Sequence, residues 1–239
     1  MTAKELFQSG KLDDAVQALT AEVRNHPSDL RARTFLFELL CFAGQFDRAE
    51  KQLDVAVQGD ATAELGALVY RAALNAEKTR QDAFEKKQYR KSGADVPPSP
   101  AGSLNGRPFA SISDGDPRVG PRLEVFAAGS FMWIPFEHIA SVEMEAPKRL
   151  RDILWAPASV KTGPSFKGVD LGDVLLPALA PFSWQSADDA ARLGRATFWV
   201  EGDNGDAVPV GQKLLVVDGE EEFPFLELRK LEFKPAPPV

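Results

Sequence analysis

The chain has 239 residues and a single cysteine, which excludes an intrachain disulfide, a zinc finger and an iron–sulfur cluster. Its net charge of −7 argues against a general nucleic-acid-binding protein, because phosphate binding needs a basic surface. The two histidines, His26 and His138, lie far apart, so we expect no metal site and no cofactor. The longest uncharged stretch, residues 174–187, contains two prolines and is too short to span a membrane. The first residues lack the apolar run of a secretory signal, so a cytoplasmic location is expected.

Proline divides the chain into two parts with different predicted structure. Only Pro27 precedes residue 97, whereas the other 17 of the 18 prolines follow. Because proline disrupts helix interiors, the first part is predicted to be helical and the second to consist of strands and turns. The run 92–106 is rich in proline, glycine and serine, as is typical of an exposed connector. The predicted division is therefore a helical domain over 1–91, a linker over 92–106 and a mainly-β domain over 107–239.

An internal repeat lies near the N-terminus. Residues 10–15 (GKLDDA) match residues 44–49 (GQFDRA) at an offset of 34, which is the period of the tetratricopeptide repeat. Gly10 and Gly44 are predicted to end the first helix of each repeat in a left-handed turn. Pro27 should end the second helix of the first repeat, and Ser28 or Asp29 can cap the helix that follows.

A third repeat is less regular. Residues 64–75 are apolar enough for a helix, but Lys78 stands where the repeat has its turn glycine. The segment is predicted to be either a degenerate capping repeat or one long helix running toward Lys91. Its basic residues from Lys78 to Lys91 favour a solvated helix face, with a docking surface for an acidic partner as the alternative.

The second part contains short strands separated by turns. Strands are predicted at 123–127, 131–134, 196–201, 213–217 and 225–228, and a short helical turn at 147–155. This spacing is typical of a small barrel or rolled sheet. The four tryptophans all lie in this part, where packing in the core is their expected role. The fold class is therefore α+β, with tetratricopeptide-like helical hairpins followed by a mainly-β domain.

The helical part predicts a binding groove, because stacked repeats present the first helix of each repeat on a concave face. Its predicted lining, over the second and third repeats, is Arg31, Thr34, Glu38, Cys41, Leu65, Leu68, Ala72 and Asn75. Leu65 and Leu68 would anchor the apolar stripe of a partner helix, and Arg31 and Glu38 would form a charged rim.

A second hypothesis is an enzyme or a small-ligand site in the β domain, using Asp114, Asp116, Arg118 and Arg151. No phosphate-binding, nucleophile-elbow or zinc motif accompanies these residues. Asp114 and Asp116 are more typical of an acidic turn that pairs with Arg118. A deep pocket lined by all four would favour the enzyme, whereas an open groove on the helices would favour a binding protein.

Several strings in the second part resemble one protein family. They are 114–124 (DGDPRVGPRLE), 131–136 (FMWIPF), 150–158 (LRDILWAPA), 195–199 (RATFW) and 211–213 (GQK). In this order, after tetratricopeptide-like helices, they resemble the ImpE/TagJ family of accessory proteins of bacterial type VI secretion. That family usually has arginine where Lys213 stands.

The resemblance implies a non-enzymatic cytoplasmic adaptor. It would bind the N-terminal helix of the small subunit of the contractile sheath and link the sheath to the ATPase that recycles it, with no nucleic acid or membrane as a partner. The residues of the matching strings are expected to be structural: Asp114, Asp116, Arg118, Trp133, Arg151, Asp152, Trp155, Arg195 and Trp199.

Overall fold

The computed structural model describes residues 1–57, 61–89, 99–163, 166, 171–203 and 205–234, without the side chains of residues 61–63 and 65. Five helices come first: α1 Ala3–Gln8, α2 Leu12–Asn25, α3 Leu30–Phe42, α4 Phe46–Ala56 and α5 Ala61–Glu85. A one-turn helix, α6 Asp189–Arg192, lies among the strands. In the described part of the chain, no helix is long and apolar enough to cross a bilayer.

The predicted helix ends of the repeats are confirmed. Gly10 and Gly44 have φ of +77° and +67°, the left-handed conformation that closes a helix C-terminus at little cost for glycine. Of the two predicted caps of α3, Asp29 is the one used, since its carboxylate accepts the backbone N–H groups of Arg31 and Ala32. Helices α1 to α4 therefore form two hairpins.

Helix α5 is continuous over 25 residues, so the long-helix alternative is confirmed and a third hairpin is not formed. Without a turn glycine at Lys78, nothing interrupts the hydrogen-bonding pattern of the helix there. Lys87 then takes a left-handed conformation just beyond the helix end. Two of the predicted basic residues, at 90 and 91, lie outside the described residues.

The second part contains thirteen described strands in antiparallel pairs. They are β1 Gly102–Leu104, β2 Arg107–Phe109, β3 Ile112–Asp114, β4 Arg122–Ala127, β5 Ser130–Pro135, β6 Ile139–Met144, β7 Trp155–Thr162, β8 Gly172–Pro177, β9 Thr197–Glu201, β10 Ala207–Gly211, β11 Leu214–Val217, β12 Glu221–Pro224 and β13 Lys230–Phe233. Eight form a sheet in the order β2-β1-β13-β6-β7-β8-β4-β5, three form the sheet β12-β11-β3, and β9 pairs with β10. These sheets are open, so the rolled arrangement and not the closed barrel describes the fold.

Two details of the predicted β region are wrong. Residues 225–228 do not form a strand: Phe225–Glu227 is a 3₁₀ turn, and the last strand follows it as β13. Phe225 and Leu228 are both buried at a spacing of three, which matches a turn of three residues and not the alternation of a strand. The predicted linker is also too long, because β1 already pairs with β13. Residues 92–98 of the predicted linker lie outside the described residues.

The eight-stranded sheet is covered on both faces. On one face, Phe126, Leu154 and Trp155 join the hydrophobic core of the helices. On the other face, Val160 of β7 packs in a second core with Leu215 of the three-stranded sheet. Because neighbouring residues of a strand point to opposite faces, β7 contributes to both cores. The helical part and the β part therefore share a core.

The two turn glycines provide a matched test of how closely the helices contact the β part. A Cβ atom at Gly44 would lie 2.3 Å from Cδ2 of Trp184, whereas one at Gly10 would lie 3.7 Å from the Arg195 side chain. Both alanine variants carry the left-handed strain of about 1–2 kcal/mol. We expect Gly44→Ala to lower the free energy of unfolding by about 1–3 kcal/mol more than Gly10→Ala, because it also clashes with the indole. Urea unfolding measures both, and equal losses would contradict the packing of Trp184 on this turn.

Candidate functional site

A buried ion pair joins α5 to the sheet. The Arg80 side chain is 1% exposed and donates two hydrogen bonds to Glu124 of β4, from Nε to Oε1 at 3.0 Å and from Nη2 to Oε2 at 2.9 Å. It also donates to Glu77 and to the backbone carbonyl of Leu179. Bidentate guanidinium–carboxylate geometry is the strongest form of charged hydrogen bond. Removing one partner of such a buried pair typically costs about 3–5 kcal/mol, since the other charge is left buried.

Lys213 extends this ion pair into the three-stranded sheet. Its ammonium lies 2.7 Å from Glu124 and 2.6 Å from Asp114 of β3, and all three side chains are almost fully buried. Glu124 thus faces two cations, Arg80 and Lys213. The four side chains Arg80, Glu124, Lys213 and Asp114 are called the buried ion network below, and they connect α5, β4, β3 and the segment before β11.

The network shifts the pKa values of its two acids in opposite directions. Burial alone would raise the pKa of Glu124, but Arg80 and Lys213 outweigh it and lower that pKa to about 2. Burial raises the pKa of Asp114 to about 6, and Lys213 opposes this shift only in part because Glu124 and Asp116 are nearby. Burial alone would lower the pKa of Lys213, but Asp114 and Glu124 outweigh it and raise that pKa. Glu124 is therefore ionised at neutral pH, whereas Asp114 titrates near pH 6.

Further polar contacts bind α3 and α5 to the β part. The indole N–H of Trp155 donates to Glu77 at 3.1 Å. Arg151 pairs with Glu38 of α3 at 3.4 Å, and its guanidinium lies 4.3 Å from the ring centroid of Tyr70. These contacts lie on the face of the helices that the sequence predicts to be an open groove.

The predicted groove residues fall into three positions. Glu38 and Cys41 are buried against the β part, and burial raises the pKa of both side chains. Ala72 and Asn75 lie at the β4–β5 turn, where the Asn75 amide donates to the carbonyl of Gly129. The other four predicted residues remain at the surface or are not described: Arg31 and Thr34 are exposed on the first turns of α3, Leu68 is 56% exposed, and the Leu65 side chain lies outside the described residues. The chain's own β part thus occupies the middle of the predicted groove.

The residues expected to be structural mostly hold loops and helix ends. Asp116 binds Arg118 through two hydrogen bonds, at 2.8 and 2.6 Å, and the Arg118 guanidinium lies 5.1 Å from the ring centroid of Phe84. Asp152 accepts the N–H groups of residues 148 and 149. Arg195 donates to the carbonyls of Phe7 and Gln8 at the end of α1.

One of the four tryptophans departs from the predicted core role. Trp155 is buried as expected, and Trp133 is half-buried against Phe84 of α5, with ring centroids 5.8 Å apart. Trp199 on β9 is instead 40% exposed, so the prediction that it packs in the core is wrong. Its strand belongs to the small two-stranded sheet, in which it pairs only with β10 among the described strands.

The four residues of the enzyme hypothesis do not line a common pocket. Asp114 is in the buried ion network, Asp116 and Arg118 pair with each other, and Arg151 points to Glu38 and Tyr70. Their charges are thus engaged in contacts between structural elements of this chain.

An open groove lies beside the covered face of the helices. It has a volume of about 1020 Å³, and its apolar floor and wall come from Val69 and Ala73 of α5, Phe126, Pro157 and Leu175. Its rim carries acidic and basic residues: Glu143, Glu145, Asp173, Arg229 and Lys230. Val69 is 51% exposed at the edge, next to Leu68. This volume is at the upper end of the range for small-molecule pockets. The groove is lined by residues of α5, of the β4–β5 turn and of the five strands β4, β6, β7, β8 and β13.

Sequence reasoning missed the charges that matter most. Arg80 belongs to the run predicted to be a solvated helix face, and that prediction is wrong for Arg80, which is buried. The spacing of α5 carries the signal: Ala73, Glu77, Arg80 and Phe84 follow one another at intervals of four, three and four residues, on one side of the helix. A charge within an apolar stripe predicts a buried ion pair, but its partners on β4 and before β11 cannot be found from this spacing.

The fold and these contacts define a class of protein, in which tetratricopeptide-type helices pack on antiparallel sheets. The tetratricopeptide repeat profile matches residues 6–72, and the ImpE protein profile matches residues 106–232. The chain belongs to the ImpE family. It is 36% identical over 267 residues to a Pseudomonas aeruginosa protein named type VI secretion system accessory component TagJ, covering 98% of this chain and 92% of that protein. The crystal structure of protein VPA1032 from Vibrio parahaemolyticus superposes with a TM-score of 0.82 at 22% identity, covering 97% of each chain, which shows the same fold.

The raised pKa of Asp114 predicts a specific pH dependence of stability. The folded protein holds the Asp114 proton up to about pH 6, whereas the unfolded chain releases it near the ordinary value of 3.8. The stabilising contribution of this proton is complete below pH 3.8 and is lost as the pH rises through 6. We expect the free energy of unfolding of Asp114→Asn, relative to the wild type, to rise by about 1–3 kcal/mol between pH 4.5 and 7.

Urea titrations at a series of pH values measure this difference. Glu124 does not interfere in that range, because its contribution is lost only as the pH falls from 4.5 toward 2. A difference between variant and wild type that stays constant across the range would show that Asp114 is ionised throughout.

Proposed function

We propose that this chain is a non-enzymatic, cytoplasmic adaptor of a type VI secretion system. In this proposal it binds the N-terminal helix of the small sheath subunit and links the sheath to its recycling ATPase. The observation that carries the proposal is the similarity, over nearly the whole of both chains, to the Pseudomonas aeruginosa type VI secretion accessory component. The tetratricopeptide match supports a role in protein–protein contact, which is the common use of such helical repeats.

The open groove is the proposed site for the partner helix. The covered face of α3 has no room for one, since Glu38 and Cys41 already contact the β part. The groove offers an apolar floor for a stripe at helical spacing, with Val69 at its edge. Of the predicted groove residues, Ala72 lines this groove, whereas Leu68 is exposed next to Val69, and the proposed site moves from the centre of the helical array to its boundary with the sheet.

The rim of the groove supports a partner with basic residues beside its apolar stripe. Glu143 on β6 and Asp173 on β8 both stand opposite Ser159 of β7, and Lys230 stands opposite Glu143 but is paired with Glu232. Basic side chains on the partner would face the two acids and set its orientation. Charged contacts at a rim affect the association rate and its salt dependence more than the affinity, so the apolar floor should supply most of the binding energy.

The structure does not favour the enzyme alternative. Asp116 and Arg118 pair with each other, Asp114 pairs with Lys213 and Arg151 with Glu38, and the four residues do not face one described cavity. No observation therefore gives it a substrate.

Two valines of similar exposure test the site. Val69 lies on the groove, and Val55 of α4 lies outside it, with exposures of 51% and 40%. We expect Val69→Asp to weaken binding of a peptide from the N-terminus of the small sheath subunit by at least about tenfold, because a charge replaces an apolar anchor. Val55→Asp should leave the affinity unchanged. Isothermal titration calorimetry on the full chain measures both.

The outcomes separate the site from the function. If both variants bind the peptide as tightly as the wild type does, the peptide binds outside this groove, and the proposed adaptor function still stands. No binding of the peptide to the wild-type chain would contradict the proposed function itself. A ternary complex with the ATPase, formed only when the sheath subunit is present, would support the proposed link.

A further inference from the structure

Strand β9 has an exposed apolar edge. Phe198, Trp199 and Val200 are consecutive and are 43%, 40% and 44% exposed. The strand pairs with β10 on one side, and no described strand pairs with it on the other. A row of backbone N–H and C=O groups beside apolar side chains is a template for pairing with another strand.

The other sheet edges in the described part of the chain are protected. The edge of β2 carries Arg107 and Pro108, and that of β12 carries two glutamates and Pro224. On β3, the outward N–H groups are taken up by Ser99 and the carbonyl of Gly120. Helix α5 covers β5, and β10 has Pro209 at its edge. Charge, proline and coverage by another strand or helix are the usual protections of a sheet edge, and among the described residues β9 has none of them before Glu201.

The hydrogen-bond pattern shows which groups of β9 face outward. Pairing with β10 continues from the bonds of Ala196 with Gln212 and of Gly202 with Asp206, so the even-numbered residues between them face β10. The backbone groups of Thr197, Trp199 and Glu201 then point away from β10. Pro209, which has no N–H group, stands opposite Trp199, in agreement with this alternation.

We propose that β9 pairs with β9 of a second copy of this chain, antiparallel and about a two-fold axis at Trp199. This register places Trp199 opposite its own copy and Thr197 opposite Glu201, so all outward backbone groups of both strands find partners. Two hairpins then become one four-stranded sheet, and Phe198 lies opposite Val200 of the other copy. Aromatic and β-branched residues are favourable cross-strand partners.

Charge favours a second copy as the occupant. The strand has one charged residue, Glu201, at its C-terminal end. In the two-fold register each Glu201 faces an uncharged Thr197, and the two glutamates lie at opposite ends of the pair. The segment is therefore complementary to itself, without like charges face to face.

Sedimentation equilibrium of the full-length chain tests the dimer. We expect a species of twice the 26.1 kDa of one chain, which dissociates on dilution. Trp199→Lys places two ammonium groups opposite each other at the axis and should give single chains. Val55→Lys is the matched control, because Val55 on α4 is also 40% exposed, and charging it should leave the dimer intact. Circular dichroism shows whether each variant is folded.

Disulfide cross-linking tests the register and stays informative if Trp199→Lys fails to fold. Opposite residues of a hydrogen-bonded antiparallel pair have Cα atoms about 5.5 Å apart, within reach of a disulfide. Trp199→Cys should therefore form a covalent dimer under oxidation, and Val200→Cys should not, since it faces Phe198. The native Cys41 is buried and does not compete. Any of three results would overturn the proposal. The wild-type chain could be monomeric at every concentration, the dimer could be unaffected by Trp199→Lys, or the cross-link could form at residue 200 and not at residue 199.

Discussion

The buried bidentate pair between Arg80 and Glu124 is the interaction on which the arrangement of the two parts depends. The Arg80 guanidinium has almost no exposed surface, so its charge must be paired with a carboxylate inside the protein, and Glu124 of β4 provides that carboxylate. Lys213 binds the same carboxylate, so α5 and the two larger sheets meet at one point. An uncompensated charge would remain inside the protein if the helices moved away from the sheet. The network thus favours one fixed orientation of α5 on the β part.

This constraint changes where a partner can bind. Tetratricopeptide helices usually offer their concave face, but here Glu38 and Cys41 on that face contact the β part, and Trp184 packs on the Gly44 turn. The surfaces left open lie at the margins: the groove between α5 and the sheet, and the edge of β9. The proposed adaptor would therefore use the β part as one wall of its helix-binding site and a separate strand for contact with its own copy.

Local signals in the sequence predicted the local structure well. The 34-residue repeat, Gly10, Gly44 and the cap before α3 follow from interactions within a few residues, and all are confirmed. Residues 225–228 were predicted as a strand because apolar residues at a spacing of three resemble a short apolar run. The location of the groove could not be predicted, since Arg80 and Glu124 are 44 residues apart and only the folded chain brings them together. The family resemblance indicated the fold and the system but not the surface.

The central claim is that the helices and the sheets form one cooperative unit held by the buried ion network. Urea unfolding followed by two signals tests it most directly, because the five N-terminal helices dominate the far-ultraviolet circular dichroism and all four tryptophans lie in the β part. We predict that circular dichroism and tryptophan fluorescence give one coincident transition. Separate midpoints, with the helices melting before or after the tryptophan environment, would contradict it.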